Sequence, residues 1–364
     1  MAPAVRTNLR EAHAHLFQLG RSLSMLDLSA CVSSDDMLDR IGTHADGLTP
    51  DAWVLAHGAR PEQWDEPRWP TRAQLDRAAS NRPVAAWCFD YHAMVASSSA
   101  LLHAGIDAKT TIESGVIELD GDGGLSGLLL EHAALRLWDA VPEPEPSQRL
   151  DLVREACTHL YELGYRAVHD LKAQPWLSTV LCELLAADEI DMHFELFPLM
   201  PDLEASIYAH STGCDERVRI AGGKIFVDGT LNSRTAWMLH PYADAHPDRP
   251  TGTPMMTPEQ IDDALHTCKA IGLPIAAHAI GDGAVRAVLD AIERTGCQHA
   301  GCRIEHAEVI DEADLPRFAE MGVKASLQPC HLLPDIEVLR RALPHRLDRV
   351  LPIRSLIASG LEPG

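Results

Sequence analysis

From about residue 148 onward, segments typical of helices alternate with short apolar segments typical of strands. The predicted helices cover 148–163, 176–187, 257–271, 284–294 and 312–321, and the predicted strands cover 165–168, 191–199, 218–227, 273–278, 302–306 and 323–328. Strands that alternate with helices through short loops predict a parallel sheet. With an earlier strand that contains His13 and His15, seven strands are counted. This number favours a closed (β/α) barrel, an α/β fold, over an open sheet.

The alternation is absent between about residues 16 and 146. This part contains a strand-like segment at 83–89, a predicted helix at 93–104 and a hairpin-like segment at 115–130. The proline-rich sequence VPEPEP ends it as a stiff connector. We therefore interpret 16–146 as a long insertion that covers the site of a single barrel domain spanning 1–364.

Composition excludes several classes of partner. The formal net charge is −22, which argues against nucleic acid and anionic membranes. No signal peptide is recognised at the start, no apolar segment approaches the roughly 18 residues of a membrane span, and the cysteines show no CxxC spacing of a zinc ribbon. A cytoplasmic enzyme with a small-molecule substrate is the expectation.

Two helix starts support the proposed division into elements. Thr257 precedes Pro258 as an N-cap, and Asp311 precedes an acidic first turn. Gly272 and Gly322 follow the predicted ends of the two helices, as left-handed stop residues do. These features carry no functional information.

Polar residues fall at the ends of several predicted strands, which is where barrel enzymes place their reactive groups. These residues are His13, His15, Lys224, Asp228, His278, Glu305 and His306. In a strand, His13 and His15 share one face, so both imidazoles can reach one metal ion. Four neutral imidazoles with an anionic ligand indicate a zinc or two-metal hydrolytic site.

Each of these residues also has a purely structural interpretation. His278 alone would be a core histidine bonded to a backbone carbonyl, and the His13–His15 pair would be a solvated turn. Lys224 would be a lysine paired with Asp228. Adjacent strand residues face opposite ways, so Glu305 is expected to point away from His306.

The chain resembles the amidohydrolase superfamily, in its YtcJ-like branch, which includes N-substituted formamide deformylases. The resemblance rests on motifs in the family's order across most of the chain. They are AHAHL, CFDYHAMVASSSALLHAGI, SGLLLEHA, GYRAVHDL, GGKIFVDGTLNSRTAWML, AAHAIGDGAV and RIEHAEVIDEADLPRFAEMGVKASLQPCHLLPD.

The resemblance implies a distorted TIM barrel with one or two divalent metals, zinc being the first choice. By position His13, His15, Lys224, His278 and His306 would bind metal, and the last three would be catalytic. Lys224 stands where the superfamily often carries a lysine carbamate, which a buried, neutral lysine forms with CO₂.

The resemblance also implies a set of residues that contact substrate or order the metal ligands. These are His92, Asp228, Arg234 and Gln328. A structural alternative stays open, in which Arg234 ties a loop to Asp228 and the neighbouring His169 and Asp170 form a hydrogen bond at a strand end.

The sequence departs from the family pattern at both ends. Glu11 replaces the aspartate of the first-strand motif, and the N-terminal β-sandwich and the eighth strand with its aspartate are expected to be missing. The predicted function is hydrolysis of amide, formamide or cyclic amide C–N bonds, by a chain that forms a homodimer. The alternatives are a truncated homologue without turnover and, more remotely, a Schiff-base aldolase that uses Lys224.

Overall fold

A computed structural model describes residues 8–49, 51–213 and 215–361, so the predicted domain limits at 1 and 364 lie outside the described residues. The strands are β1 Leu9–Ala14, β2 Leu26–Asp27, β3 Val54–Ala59, β4 Val84–Cys88, β5 Ala93–Ala96, β6 Gly115–Leu119, β7 Leu125–Glu131, β8 Tyr165–Ala173, β9 His193–Pro198, β10 Val218–Ile220, β11 Gly223–Phe226, β12 Ile275–Ala279, β13 Arg303–His306 and β14 Lys324–Ser326. The α-helices are α1 Leu16–Ser24, α2 Ser34–Asp46, α3 Arg72–Ala78, α4 Ser98–His103, α5 His132–Trp138, α6 Pro146–Glu162, α7 Leu177–Ala186, α8 Leu203–His210, α9 Pro258–Ala270, α10 Asp282–Thr295, α11 Leu315–Glu320, α12 Leu332–Ala342 and α13 Ile353–Ala358. Short 3₁₀ helices cover Pro61–Gln63, Met200–Asp202, Glu312–Asp314, Pro329–His331 and Leu347–Arg349.

Two four-stranded parallel sheets carry the predicted strand-tip residues. Their strand orders are β1-β8-β9-β10 and β11-β12-β13-β14. A bridge between Leu199 and Lys224 connects the end of β9 to β11. Helices α6 and α7 supply apolar side chains behind the first sheet, as α9 and α10 do behind the second. The α/β class predicted from the alternation is therefore confirmed, whereas the closed barrel and the missing eighth strand stay predictions.

The predicted strand at 218–227 is two strands that belong to different sheets. β10 pairs with β9, whereas β11 pairs with β12. Between them, a Cβ atom on Gly222 would lie 2.7 Å from the ring of Phe197 and from the carbonyl oxygen of Pro274. Only glycine allows this approach, and the chain passes from one sheet to the other at this point.

The segment interpreted as an insertion forms a third sheet, which we call the accessory sheet. It has six strands in the order β2-β3-β4-β5-β7-β6. β2, β3 and β4 pair in parallel, and the remaining pairs are antiparallel, including the predicted hairpin β6–β7.

The predicted helix at 93–104 is wrong in its first third. β5 pairs with β4 on one side and with β7 on the other, and all four of its residues are buried. α4 begins only after Ser97, whose hydroxyl accepts from the backbone N–H of Ala100. A four-residue apolar segment suits either element, and here pairing with two neighbouring strands decides for the strand.

The interpretation of His13 and His15 as a solvated turn is also wrong. β1 pairs in parallel with β8, with Ala14 opposite Asp170. α1 begins at Leu16, directly after His15.

Among the described residues, no helix has the length and apolar character needed to cross a membrane.

The predicted cap of α9 is present as a full capping box. The side chain of Thr257 accepts from the backbone N–H of Gln260, and the Gln260 side chain accepts from the backbone N–H of Thr257. Thr257→Ala is expected to lower the free energy of unfolding by about 1 kcal/mol, because it removes one of these bonds. Urea denaturation measures the change. Thr267→Ala, on an exposed turn of the same helix, is the matched control and is expected to leave stability nearly unchanged; an equal loss in both variants would contradict the capping role.

Candidate functional site

Four of the predicted strand-tip histidines lie together where the two parallel sheets meet. Ring centroids are 5.4 Å apart for His13 and His15, 4.7 Å for His13 and His306, and 4.6 Å for His278 and His306. His278 and His306 are 2% and 8% exposed. The structure thus brings together the imidazoles of β1, β12 and β13, and we call these four residues the histidine cluster.

His306 joins the cluster because the strand alternation ends at this residue. Its φ is 69°, a left-handed value that is uncommon outside glycine, and Ala307 follows with φ 41°. In β13, Glu305 is the residue in register with His278. His306 would face the other way in a regular strand, and the change in φ turns its ring back toward the cluster.

Glu305 was expected to point away from His306, and the structure shows that its carboxylate contacts the histidine cluster through His13. Its side chain is fully buried, and Oε2 accepts a 2.7 Å hydrogen bond from Nδ1 of His13. Burial alone would raise its pKa, but the bond to His13 and the nearby charge of Lys224 lower the pKa to about 2. Glu305 was recognised as a polar residue at a strand end, but the assumption of strict alternation predicted no contact with the cluster.

Arg303 stabilises Glu305 and also connects the strands around it. It forms an ion pair with Glu305 and donates to the carbonyl oxygen of Ala12 at 2.8 Å and to the hydroxyl of Ser326 at 2.9 Å. A further contact of 2.9 Å joins it to Nδ1 of His169. One guanidinium therefore contacts residues of β1, β8, β13 and β14.

Lys224 is buried beside the cluster, and the part of the chain that the structure describes holds no ion-pair partner for it. Lys224 is 1% exposed, and Nζ has no hydrogen-bond partner among the described residues. Nζ lies 4.7 Å from the ring centre of Phe226. Among the described residues Lys224 forms no hydrogen bond or ion pair with Asp228, so the suggested pairing is wrong. Burial lowers the pKa of the amine to about 7.

Asp228 instead fastens the loop that follows β12. Its two carboxyl oxygens accept from the backbone N–H groups of Ile280, Gly281 and Trp237 at 2.8–3.0 Å. Oδ1 lies 3.7 Å from Nε2 of His278. Burial raises the pKa of Asp228 to about 7 despite these bonds. Asp228 touches the cluster, and its predicted contact with substrate stays a prediction.

Arg234 does not pair with Asp228. It binds Asp244, with its Nε 3.0 Å and one terminal nitrogen 2.6 Å from the carboxylate, and it donates to the carbonyl oxygens of Leu231 and Asn232. It lines a cavity of about 500 Å³ against the accessory sheet, whose lining includes none of the cluster histidines.

Of the remaining predicted residues, His169 and Asp170 have structural contacts, and the role of Gln328 stays a prediction. His169 and Asp170 lie within β8 rather than at its end; His169 contacts Arg303 at 2.9 Å, and Asp170 accepts from the backbone N–H of Leu16 at 2.6 Å. Gln328 follows β14, and its Oε1 is buried without a hydrogen-bond partner among the described residues.

The accessory sheet contributes His92, whose ring centre lies 5.2 Å from that of His278. Nδ1 of His92 donates to Oε2 of Glu131 at 2.6 Å, and Glu131 is 2% exposed. Burial would lower the pKa of His92, but the charge and hydrogen bond of Glu131 raise it. Sequence reasoning missed Glu131, although it lies in the motif SGLLLEHA.

The donor chemistry of the cluster fits a divalent metal. Nδ1 of His15 and of His306 are buried and, like Nζ of Lys224, lack hydrogen-bond partners among the described residues. Burial lowers the pKa of His15, His278 and His306 well below the usual value, which keeps the imidazoles in the neutral form that ligates metals. Within residues 8–49, 51–213 and 215–361, however, no three His, Cys, Asp or Glu side chains are already arranged to hold an ion.

Comparison with known proteins shows which family this chain matches. A family model described as "Amidohydrolase family" matches residues 9–364. The putative amidohydrolase YtcJ of Bacillus subtilis (strain 168) is 28% identical, over 96% of this chain and 67% of its own length. The N-substituted formamide deformylase of Arthrobacter pascens is 26% identical, over 97% and 68%.

Solved structures agree with this comparison. An uncharacterized metal-dependent hydrolase from Pyrococcus horikoshii OT3 superposes with a TM-score of 0.72 at 25% identity, over 97% of this chain and 69% of that one. A second, from Pyrococcus furiosus, gives 0.70 at 27% identity, over 97% and 71%. The chain thus spans about two-thirds of the length of these proteins. It belongs to the amidohydrolase family.

Proposed function

We propose that the protein is a metal-dependent hydrolase of carbon–nitrogen bonds in amides, formamides or cyclic amides. The observation that carries the proposal is the cluster of four histidines, of which His278 and His306 are buried, beside the buried Lys224, which has no ion-pair partner among the described residues. Similarity to an N-substituted formamide deformylase and to two metal-dependent hydrolases supports this choice of reaction.

His13, His15, His278 and His306 would hold one or two divalent ions, with zinc as the first choice. When bound, such an ion lowers the pKa of water and polarises the substrate carbonyl. Lys224 can add to this ligand set. Its amine is partly neutral near pH 7, so it can react with CO₂ to give a carbamate whose oxygens carry negative charge.

Residues around the cluster fix the orientation of these ligands. Glu305 holds Nδ1 of His13, which leaves the other ring nitrogen of His13 for a metal. Asp228 holds Gly281 and Trp237 next to His278. Both carboxylates are fully buried, so bulk water does not compete for their hydrogen bonds.

Metal content provides the first test. Protein purified after expression with supplemented metals is expected to contain at least about one equivalent of a divalent ion, because neutral buried imidazoles are its preferred ligands. Inductively coupled plasma mass spectrometry measures Zn, Mn, Fe, Co and Ni together. Substoichiometric amounts of all five would contradict the proposal.

Substrate assays with the same samples test the reaction. A panel of N-substituted formamides, cyclic imides and N-acyl amino acids is incubated with the protein as purified, after chelation, and after the metal is restored. We expect hydrolysis of at least one class, its loss on chelation and its recovery with metal. Hydrolysis that persists after the metal has been removed would contradict the metal-dependent mechanism.

A further inference from the structure

The accessory sheet delivers a second histidine–glutamate pair to the edge of the histidine cluster. His92 lies in the turn between β4 and β5, and Glu131 is the last residue of β7. The backbone N–H of Glu131 donates to the carbonyl oxygen of His92 at 2.9 Å, and the two side chains meet at 2.6 Å. Backbone and side-chain bonds therefore fix the same pair of residues.

The other oxygen of Glu131 is also engaged. Oε1 accepts from the hydroxyl of Thr235, and the Thr235 oxygen in turn accepts from the backbone N–H of Thr230 at 3.1 Å. Thr235 is fully buried. Glu131 is thus held from the side of the second parallel sheet, because Thr230 and Thr235 belong to the loop that follows β11.

Two local backbone features are needed for this arrangement. Glu131 has φ 53° and ψ −126°, a backbone conformation that is strained for a residue with a side chain. Gly229 faces the carboxylate, and a Cβ atom there would lie 2.2 Å from both Oε1 of Glu131 and Oγ1 of Thr235. The carboxylate of Glu131 thus fits only because the backbone of Glu131 is strained and because residue 229 has no side chain.

The pair differs from His13–Glu305 in what surrounds the carboxylate. Glu305 is ion-paired with Arg303, whereas Glu131 has no Arg or Lys partner within the described ranges. With Nδ1 of His92 bonded to Glu131, Nε2 is the ring nitrogen left over. It has no hydrogen-bond partner among the residues that the structure describes, and the ring lies beside that of His278.

We propose that Glu131 is a positioning residue that, together with Thr235, holds His92 so that its Nε2 contacts the substrate beside the histidine cluster. The inference rests on the proposed hydrolase function for the identity of the substrate, an amide or formamide. The positioning itself depends only on the contacts described above.

Three variants separate the roles of the carboxylate. Glu131→Leu removes both acceptors at similar volume, Glu131→Gln keeps an acceptor for Nδ1–H without the charge, and Thr235→Val removes the hydroxyl at similar shape. Glu118→Gln, on the neighbouring strand β6 and paired with Arg249, is the matched control. None of the four changes a proposed metal ligand, so metal content is expected to stay at the wild-type level and reports correct folding.

Long-range ¹H–¹⁵N spectra of protein labelled at histidine provide a readout that needs no turnover, with His92 assigned through His92→Gln. The wild type, Glu131→Gln and Glu118→Gln are expected to show a protected Nδ1–H for His92. Glu131→Leu is expected to lose it, and Thr235→Val to weaken it. Retention of the wild-type Nδ1–H signal in Glu131→Leu would overturn the positioning role.

Kinetics on a substrate found in the panel tests the contact with substrate. Glu131→Leu is expected to lower kcat/KM roughly 100-fold, the size expected for a misplaced group, and Glu131→Gln to recover most of it. An altered His92 spectrum with unchanged kcat/KM would overturn the substrate contact. If the wild type hydrolyses nothing, the proposed function fails, and the spectra still decide the positioning.

Discussion

His278→Ala is expected to lower metal content below that of the wild type and to lower hydrolysis by about 100-fold or more. His278 is 2% exposed and lies between His306, at 4.6 Å, and His92, at 5.2 Å, measured between ring centres. Loss of groups that merely support a metal ligand costs 10- to 100-fold in affinity or activity, so loss of a ligand itself should reach at least the upper value. Metal analysis and the substrate assay measure the two quantities on one sample.

The control for this substitution is His266→Ala, on the exposed side of α9. It should leave both quantities unchanged. His278→Gln fills more of the buried space than alanine does and serves as a second variant if His278→Ala folds poorly. Full metal content and activity in either correctly folded His278 variant would remove His278 from the ligand set.

Gly229→Ala is expected to cause the second large effect, through a single added methyl group. The new Cβ would overlap Oε1 of Glu131 and Oγ1 of Thr235, each 2.2 Å away, so both side chains or the backbone at residue 229 must move. Displacement of a positioned group by about 1 Å can lower activity roughly 100-fold, and overpacking of this kind costs about 1–3 kcal/mol of stability. The substrate assay and urea denaturation measure these effects.

Gly121→Ala, in the open turn of the β6–β7 hairpin, is the matched control. A Cβ atom there meets nothing within 4 Å, and Gly121 is not among the residues with positive φ. It is expected to behave like the wild type. Wild-type activity and stability in Gly229→Ala would show that Glu131 and Thr235 can move apart without consequence.

The sequence predicted parallel strands that alternate with helices, and it predicted all four histidines of the cluster, because both leave local signals; it did not predict the division of the strands into two sheets. An apolar strand that ends in a histidine can be recognised from its own sequence, as for His278. Because the C-terminal ends of parallel strands lie at the same edge and carry the reactive groups of barrel enzymes, histidines at these ends are expected to lie close together. The convergence of His13, His15, His278 and His306 needed no knowledge of a particular contact.

The residues that were missed depend on contacts between distant segments. Glu131 gains its role only because β7 lies beside β5, and β5 itself was predicted as part of a helix. The role of Glu305 was not predicted, because strict alternation was assumed for a strand in which the left-handed backbone of His306 interrupts it. The break at Gly222 depends on the ring of Phe197, which lies 25 residues earlier in the chain. None of these contacts has a local pattern in the sequence.

The position of Arg303 ties the shape of the scaffold to the geometry of its reactive groups. The guanidinium reaches strands β1, β8 and β14 from β13, and it also pairs with the carboxylate that orients His13. A shift of one sheet against the other therefore strains the same side chain that sets the direction of an imidazole. Strand packing and the orientation of His13 therefore depend on the same side chain. A distant change that loosens the packing of the sheets is expected to alter the orientation of the imidazole as well.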